Sequence, residues 1–317
     1  MTDDIEAMMS AWRIDRFGGP DALRNETIPA PRPARGEVLL KVQSAGLNPV
    51  DLKTREGRYP LIRADALPFT LGRDVAGVVA QCGEGVEGWA RGVTAYAFVG
   101  QGQGAFADYV AVSAAALSKP PATLSLADAG AVPLAALTAW QGLFDHGKLE
   151  RGERVLIHGA SGGVGQFAVQ FARECGAHVY ATGSGESLNL LKALGAAHTI
   201  DYRKDRFEDV AKDIDLVYDL IGGDTQQRSW SVLRPGGALV STLNEPSQVE
   251  ASKHGARATR YTARPDGGQL ARIAQWIDRR AVRVEIVARY PFARLPDAFE
   301  RLAQGHLRGK VVVTRDA

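Results

Sequence analysis

A compact β-like run, Arg154-Val-Leu-Ile-His158, passes straight into Gly159-Ala160-Ser161-Gly162-Gly163-Val164-Gly165. Behind the glycines, Val164, Phe167, Ala168 and Phe171 recur at the spacing of one helix face. Glycines also cluster in ordinary turns, so the string alone says little. Strand, glycines and amphipathic helix in that order are far more restrictive. Missing side chains let the backbone approach a pyrophosphate, and the unpaired N–H groups at the helix start point at its charge. The segment predicts a dinucleotide site on Ser161, Gly162, Gly163, Val164 and Gly165.

The surroundings agree. Ser125, with Asp128 three residues on, reads as a helix N-cap opening an Ala/Leu-rich stretch to Phe144. Strands then alternate with helices at Arg154–His158, His178–Thr182, His198–Tyr202, Leu216–Ile221, Ala238–Thr242 and Arg257–Tyr261. Such alternation predicts an α/β fold, a Rossmann-type doubly wound parallel sheet with helices on both faces. Before it, short β-like runs at Trp12–Ile14, Glu37–Val42, Val75–Val79, Thr94–Phe98 and Tyr109–Val112 sit between Gly and Pro turns, as in a barrel-like β-rich unit. After it come a helix (Gly268–Arg279), a strand (Val282–Arg289), a helix near Pro296–Leu302 and a strand at Lys310–Thr314.

The end of the second Rossmann strand selects the dinucleotide. An acid there would bond the ribose 2′-hydroxyl of NAD and repel a 2′-phosphate. Here the strand ends in the neutral Thr182-Gly183-Ser184, and Glu186 lies past the strand end, in the first turn of the next helix. The third strand ends Asp201-Tyr202-Arg203-Lys204, placing a phenol and two cations beside Ser184. NADPH is the expected cofactor.

Composition closes off other classes. Lys plus Arg is 38 against 36 for Asp plus Glu, a net charge of +2, which offers no electrostatic footprint for nucleic acid or an anionic membrane. The longest uncharged run, between Asp128 and Asp145, is interrupted by Gly130, Pro133, Gln141 and Gly142 and falls short of a spanning segment. Asp3, Asp4 and Glu6 give the start the wrong sign for a secretion signal. Cys82 and Cys175 stand apart, with no metal-ligand spacing to each other or to a His. A cytoplasmic protein acting on a small molecule is expected.

These residues in this order resemble the medium-chain dehydrogenase/reductase superfamily, specifically its zinc-free quinone oxidoreductase (zeta-crystallin-like) branch. The resemblance is carried by Ala45-Gly46-Leu47-Asn48-Pro49-Val50-Asp51, Leu71-Gly72-Arg73-Asp74-Val75-Ala76-Gly77, Gly104-Ala105-Phe106-Ala107-Asp108-Tyr109, Leu137-Thr138-Ala139-Trp140, the glycine loop and Gly309-Lys310-Val311-Val312-Val313. It implies a GroES-like catalytic domain from both chain ends (1–126 and 265–317), a Rossmann NADP-binding domain between them (127–264), and a homodimer. It also implies Thr138 near the nicotinamide, Tyr202 near the 2′-phosphate with Ser184, Arg203 and Lys204, and Asn48 and Tyr59 as catalytic pocket residues. Zinc-dependent relatives carry Cys at Asn48 and His-Glu at Arg73-Asp74, and no His precedes His146 here, so no metal is expected. Ser187 replaces a phosphate-binding Lys of some quinone reductases, and Lys53 replaces a Tyr of some relatives.

Each candidate also has a plainer reading. Asn48 before Pro49 can close a turn, Tyr59 before Pro60 can be ordinary packing, and Asp51 and Asp74 can be structural partners of nearby Arg or N–H groups. Without zinc to polarise an alkoxide, a substrate that accepts hydride readily fits best. The expectation is NADPH-dependent reduction of quinones, with the C=C bond of α,β-unsaturated aldehydes or ketones as the alternative. A non-enzymatic NADPH-binding protein is the third reading.

Overall fold

The structure is a computed structural model that describes residues 7–315. The acidic start read from Asp3, Asp4 and Glu6 lies outside them. The amino-terminal part holds β1 (Met8–Ile14), β2 (Leu23–Pro29), β3 (Glu37–Leu47), α1 (Pro49–Arg55), β4 (Phe69–Thr70), β5 (Asp74–Cys82), β6 (Thr94–Phe98) and β7 (Tyr109–Ser113). β3 is its axis. It pairs antiparallel with β5 along most of its length and with β7 at Glu37–Lys41. Alternation sends Val38, Leu40 and Val42 into one core and leaves Lys41 exposed.

Helices α2 (Leu126–Ala129) and α3 (Pro133–Trp140) lead into the second unit. The single helix expected from Ser125 to Phe144 is therefore broken. Ser125 Oγ does accept from Asp128 N–H at 3.1 Å, but Pro133 starts a new helix, and Gln141–His146 continue it as a wider π-helical turn. Then follow β8 (Arg154–His158), α4 (Gly163–Cys175), β9 (His178–Gly183), α5 (Ser187–Leu194), β10 (His198–Asp201), α6 (Phe207–Val210), β11 (Ile214–Asp219), α7 (Gly223–Arg228), β12 (Leu233–Ser241), α8 (Gln248–Lys253) and β13 (Arg257–Arg260). All six strands are parallel, in the order β10-β9-β8-β11-β12-β13, which is the doubly wound Rossmann arrangement.

The chain closes with α9 (Gly267–Asp278), β14 (Ile286–Pro291), α10 (Leu295–Ala303) and β15 (Lys310–Thr314). α9 meets both parts of the chain: the Tyr96 hydroxyl on β6 donates to Leu270 O at 2.7 Å, and Thr123 N–H donates to Asp278 Oδ1 at 2.9 Å. Leu270, Ile273 and Ile277 join the Rossmann-side core, and the Trp276 ring centre lies 5.0 Å from that of Trp140, tilted, and 5.5 Å from that of Phe171, edge-on. β14 begins at Ile286 rather than Val282, because Val282 is buried in the turn after α9. β15 inserts beside the end of β3, pairing Val311 with Leu47 and Thr314 with Ser44. That pairing carries the chain's last lysine to the residue next to Asn48.

Candidate functional site

The glycine loop lies at the carboxyl end of β8, where strand order reverses between β9 and β11. Open parallel sheets bind ligands at that point. Gly162 is the N-cap of α4 and brings no side chain to cap it, so the first-turn N–H groups face the cleft. Gly165 must be glycine: a Cβ there would sit 2.4 Å from the Gly159 carbonyl oxygen. Uncapped donors in a cradle that side chains would fill suit a pyrophosphate.

Beneath the loop, His158 is fully buried at the end of β8. Ser229 donates its hydroxyl hydrogen to Thr225 O at 2.6 Å, so His158 Nε2 is the donor in the 3.0 Å contact with Ser229 Oγ. Nδ1 then accepts from Thr182 Oγ1 at 3.3 Å. Burial holds this imidazole neutral by pulling its pKa down to about 4.

At the far end of the sheet, Tyr202 N–H donates to Gly183 O at 3.1 Å, which seats the end of β10 against that of β9. Tyr202, Arg203 and Lys204 are exposed, and the Arg203 guanidinium lies 5.9 Å from the Tyr202 ring centre. Ser184 N–H donates to Ser187 Oγ at 2.9 Å. Glu186 is the N-cap of α5 and pairs outward with Arg308 at 2.7 Å.

The cleft floor is a buried polar cluster. Asn48 caps α1: its N–H donates to Asp51 Oδ2 at 2.8 Å, and Asp51 is the third helix residue. The Asn48 amide donates to Asp74 Oδ2 at 2.8 Å and to Gly46 O at 3.3 Å, and its Oδ1 accepts from Lys310 Nζ. Lys310 Nζ also reaches Leu47 O at 3.0 Å and Asp74 Oδ2 at 3.3 Å. Asp74 Oδ1 accepts Leu134 N–H at 2.6 Å, tying in the start of α3. Burial pushes the Asp74 carboxyl above its ordinary range while Lys310 pulls against it; the Asp51 carboxyl, also buried, rises to about 7.

The resemblance implies Asn48 as a catalytic pocket residue, and the plainer reading has it close a turn. Both of its amide hydrogens are already donated within the protein, so its geometry fits capping and bracing of the floor. Lys310 is the participant that sequence reasoning missed. A lysine at the start of the apolar run Lys310–Thr314 was the available signal, and it is only 3% exposed. Its stem lies against the glycine loop: a Cβ on Gly163 would be 3.0 Å from Lys310 Cδ.

Tyr59 stands at the side of this floor, half-buried. Gln101 Nε2 donates to its hydroxyl oxygen at 2.9 Å, the hydroxyl donates to Gln101 Oε1 at 3.2 Å, and the buried Arg73 guanidinium lies 5.6 Å from its ring centre. Arg73 Nη1 donates to Gly100 O at 2.6 Å. Thr138 Oγ1 turns back to Leu134 O at 2.6 Å, while its carbonyl accepts from Tyr218 at 3.0 Å and from Tyr261.

A family profile described as "Alcohol dehydrogenase GroES-like domain" matches residues 34–122, and one described as "Zinc-binding dehydrogenase" matches 194–313. A mitochondrial NAD(P)H oxidoreductase of Mus musculus is 34% identical, covering 98% of this chain and 90% of its own length. A quinone oxidoreductase from Coxiella burnetii superposes with a TM-score of 0.90 at 31% identity, over 97% of this chain and 99% of that one. The chain belongs to the medium-chain dehydrogenase/reductase superfamily, in its quinone-oxidoreductase branch. It is an oxidoreductase.

An NADPH-dependent alkenal/one oxidoreductase of Arabidopsis thaliana chloroplasts is as similar, 34% identical over 98% of this chain and 80% of its own. The second profile's description raises zinc, as some members of this superfamily bind it. Among the described residues no group of three or more His, Cys, Asp or Glu is placed to hold a metal. Where zinc-dependent members of the superfamily carry Cys and His-Glu, this chain offers an amide, a guanidinium and a carboxylate already paired to Lys310. A fixed positive charge at Arg73 opposes a cation. These residues do not fit a catalytic zinc. No helix among the described residues is long and apolar enough to cross a membrane.

Proposed function

We propose that this protein is an NADPH-dependent, zinc-independent reductase of small electrophiles, with quinones as substrates and conjugated enals or enones as the second class. The observation that carries the reading is the uncapped glycine loop set directly against the Lys310–Asn48–Asp74 floor, so that the cofactor cradle and this buried polar cluster share one wall. The enone class is kept because the chloroplast relative is named for it.

The reduced nicotinamide supplies a hydride when bound. This chain's own part is to bind, orient and protonate. The α4 start holds the pyrophosphate; Ser184, Tyr202, Arg203 and Lys204 favour the 2′-phosphate; the α3 turn at Thr138 borders the nicotinamide end. The Tyr59 hydroxyl reaches Gln101 Oε1 at 3.2 Å, a long bond that a substrate oxygen would replace to receive the phenolic hydrogen. In the Ser229–His158 contact the imidazole is the donor and both residues are buried, so it offers no activated nucleophile, and direct transfer needs no covalent enzyme intermediate. Holding two reactants in one dry cleft itself lowers the barrier by several kcal/mol. The protein is proposed to work as a homodimer.

The test is a steady-state screen of quinones, alkenals and enones with NADPH and NADH. NADPH oxidation with a quinone supports the reading. No oxidation with any member would overturn it and favour a non-enzymatic NADPH-binding role.

A further inference from the structure

Lys53 lies on α1, five residues after Asn48, and is half-buried. Its carbonyl accepts from Arg58 N–H at 2.8 Å, but among the described residues its ammonium has no hydrogen bond and no ion pair. The charges that act on it are two arginines. Arg58 follows α1, and Arg260 ends β13 on the opposite domain; burial first, and then repulsion from these two, pushes the Lys53 ammonium below the usual lysine range. Arg58 is partly answered by Glu56, with Nε 2.7 Å from Oε2. Arg260 gives its Nε to Leu243 O at 3.0 Å, which fixes the arm and leaves the outer guanidinium nitrogens unengaged.

Half-burying an unpaired ammonium beside two guanidinium groups is costly, because desolvation and repulsion add. A bound anion removes both penalties. The location says which anion. Arg260 is at the carboxyl end of the parallel sheet, the ligand-binding end, and α1 opens at the cleft floor, so the cations approach one cleft from two domains. Tyr202, Arg203 and Lys204 follow β10, at the other edge of the sheet. β10 and β13 are five strand spacings apart, roughly 24 Å at about 4.8 Å each, so this cluster is separate from the residues suited to the cofactor 2′-phosphate.

We propose that Lys53, with Arg260 and Arg58, is a specificity site for an anionic substituent, a carboxylate, sulfonate or phosphate, on the substrate away from its reducible bond. This rests on the reductase reading above and narrows its substrate class. The three residues select the substrate and take no part in the chemistry.

The experiment compares kcat/KM for 1,4-naphthoquinone and its 6-sulfonate, whose anion sits on the benzo ring away from the quinone, with NADPH, in wild type, Lys53→Gln, Lys53→Arg and Lys53→Glu. Taking the sulfonate-to-parent ratio within each protein and comparing it across proteins cancels the intrinsic reactivity of the two quinones. The ratio should fall about tenfold in Lys53→Gln, a loss of about 1.4 kcal/mol. It should fall further in Lys53→Glu and recover in Lys53→Arg, and 0.3 M NaCl should shrink the wild-type ratio. A ratio that moves less than threefold in both Lys53→Gln and Lys53→Glu, with active enzyme, overturns the anion site and leaves the reductase standing. Absence of NADPH oxidation with either quinone removes both.

Discussion

Lys310 and Asp74 form an ion pair inside the protein, Nζ to Oδ2 at 3.3 Å, with side chains 3% and 0% exposed. One comes from the last strand and the other from β5, and Asn48 lies between them, bonded to both. The pair therefore locks the two chain ends together at the cleft floor. A buried pair is weak evidence for net stability, but removing one partner strands the other charge in a medium that solvates it poorly.

Lys310→Met should accordingly cost about 3–5 kcal/mol of unfolding free energy. Adding Asp74→Asn to Lys310→Met should recover part of that loss, since no lone carboxylate remains. Urea unfolding of the single and double variants measures both. A Lys310→Met protein within about 1 kcal/mol of wild type would mean that the pair is not the lock described.

His158 and Asp51 give opposing pH dependences. The folded-state pKa of His158 is depressed from 6.5 to about 4, so its contribution is present above 6.5 and lost as pH falls toward 4. That of Asp51 is raised from 3.8 to about 7, so the folded state binds the extra proton, and stability is lost as pH rises from 3.8 to 7. Asp51→Asn keeps an oxygen to accept Asn48 N–H and removes the second slope. Its stability should climb more steeply than wild type between pH 4.5 and 6.5, by a few kcal/mol across that range. Identical slopes in the two proteins would show that Asp51 ionises normally.

Replacing Arg203 and Lys204 together by Ala should raise the apparent KM for NADPH about tenfold and leave that for NADH nearly unchanged. Equal use of both cofactors by wild type would instead point to Glu186 as an acid at the ribose, released from Arg308.

Much of this was legible in the sequence because the informative residues are local. Strand, glycines and helix are contiguous, so β8, the loop and α4 can be read from the single stretch Arg154–Cys175. The strand end at Thr182–Ser184 and the Tyr202–Lys204 turn are read the same way. What escaped depends on distant chain segments meeting. The role of Lys310 requires β15 to insert beside β3, 263 residues away along the chain for its bond to Leu47, and no local pattern reports that. α1 was hidden because Asn48-Pro49 reads as a turn, while the capping box that starts the helix is completed only by Asp51. The break between α2 and α3 follows from Pro133, which an Ala/Leu-rich stretch disguises.

Tyr59→Phe should slow turnover roughly 10- to 100-fold if the phenol supplies the proton, with the pH profile of kcat changed. A wild-type rate and profile would transfer that role to water and leave hydride delivery untouched.

The most direct test of the central claim follows the hydride itself. Reduction of an enone by the wild-type protein with NADPH stereospecifically deuterated at C4 should place deuterium on the β-carbon, from one face of the nicotinamide only, with the α-hydrogen drawn from solvent. Product whose β-carbon carries solvent hydrogen instead, or NADPH that is never oxidised, would contradict direct transfer in this cleft.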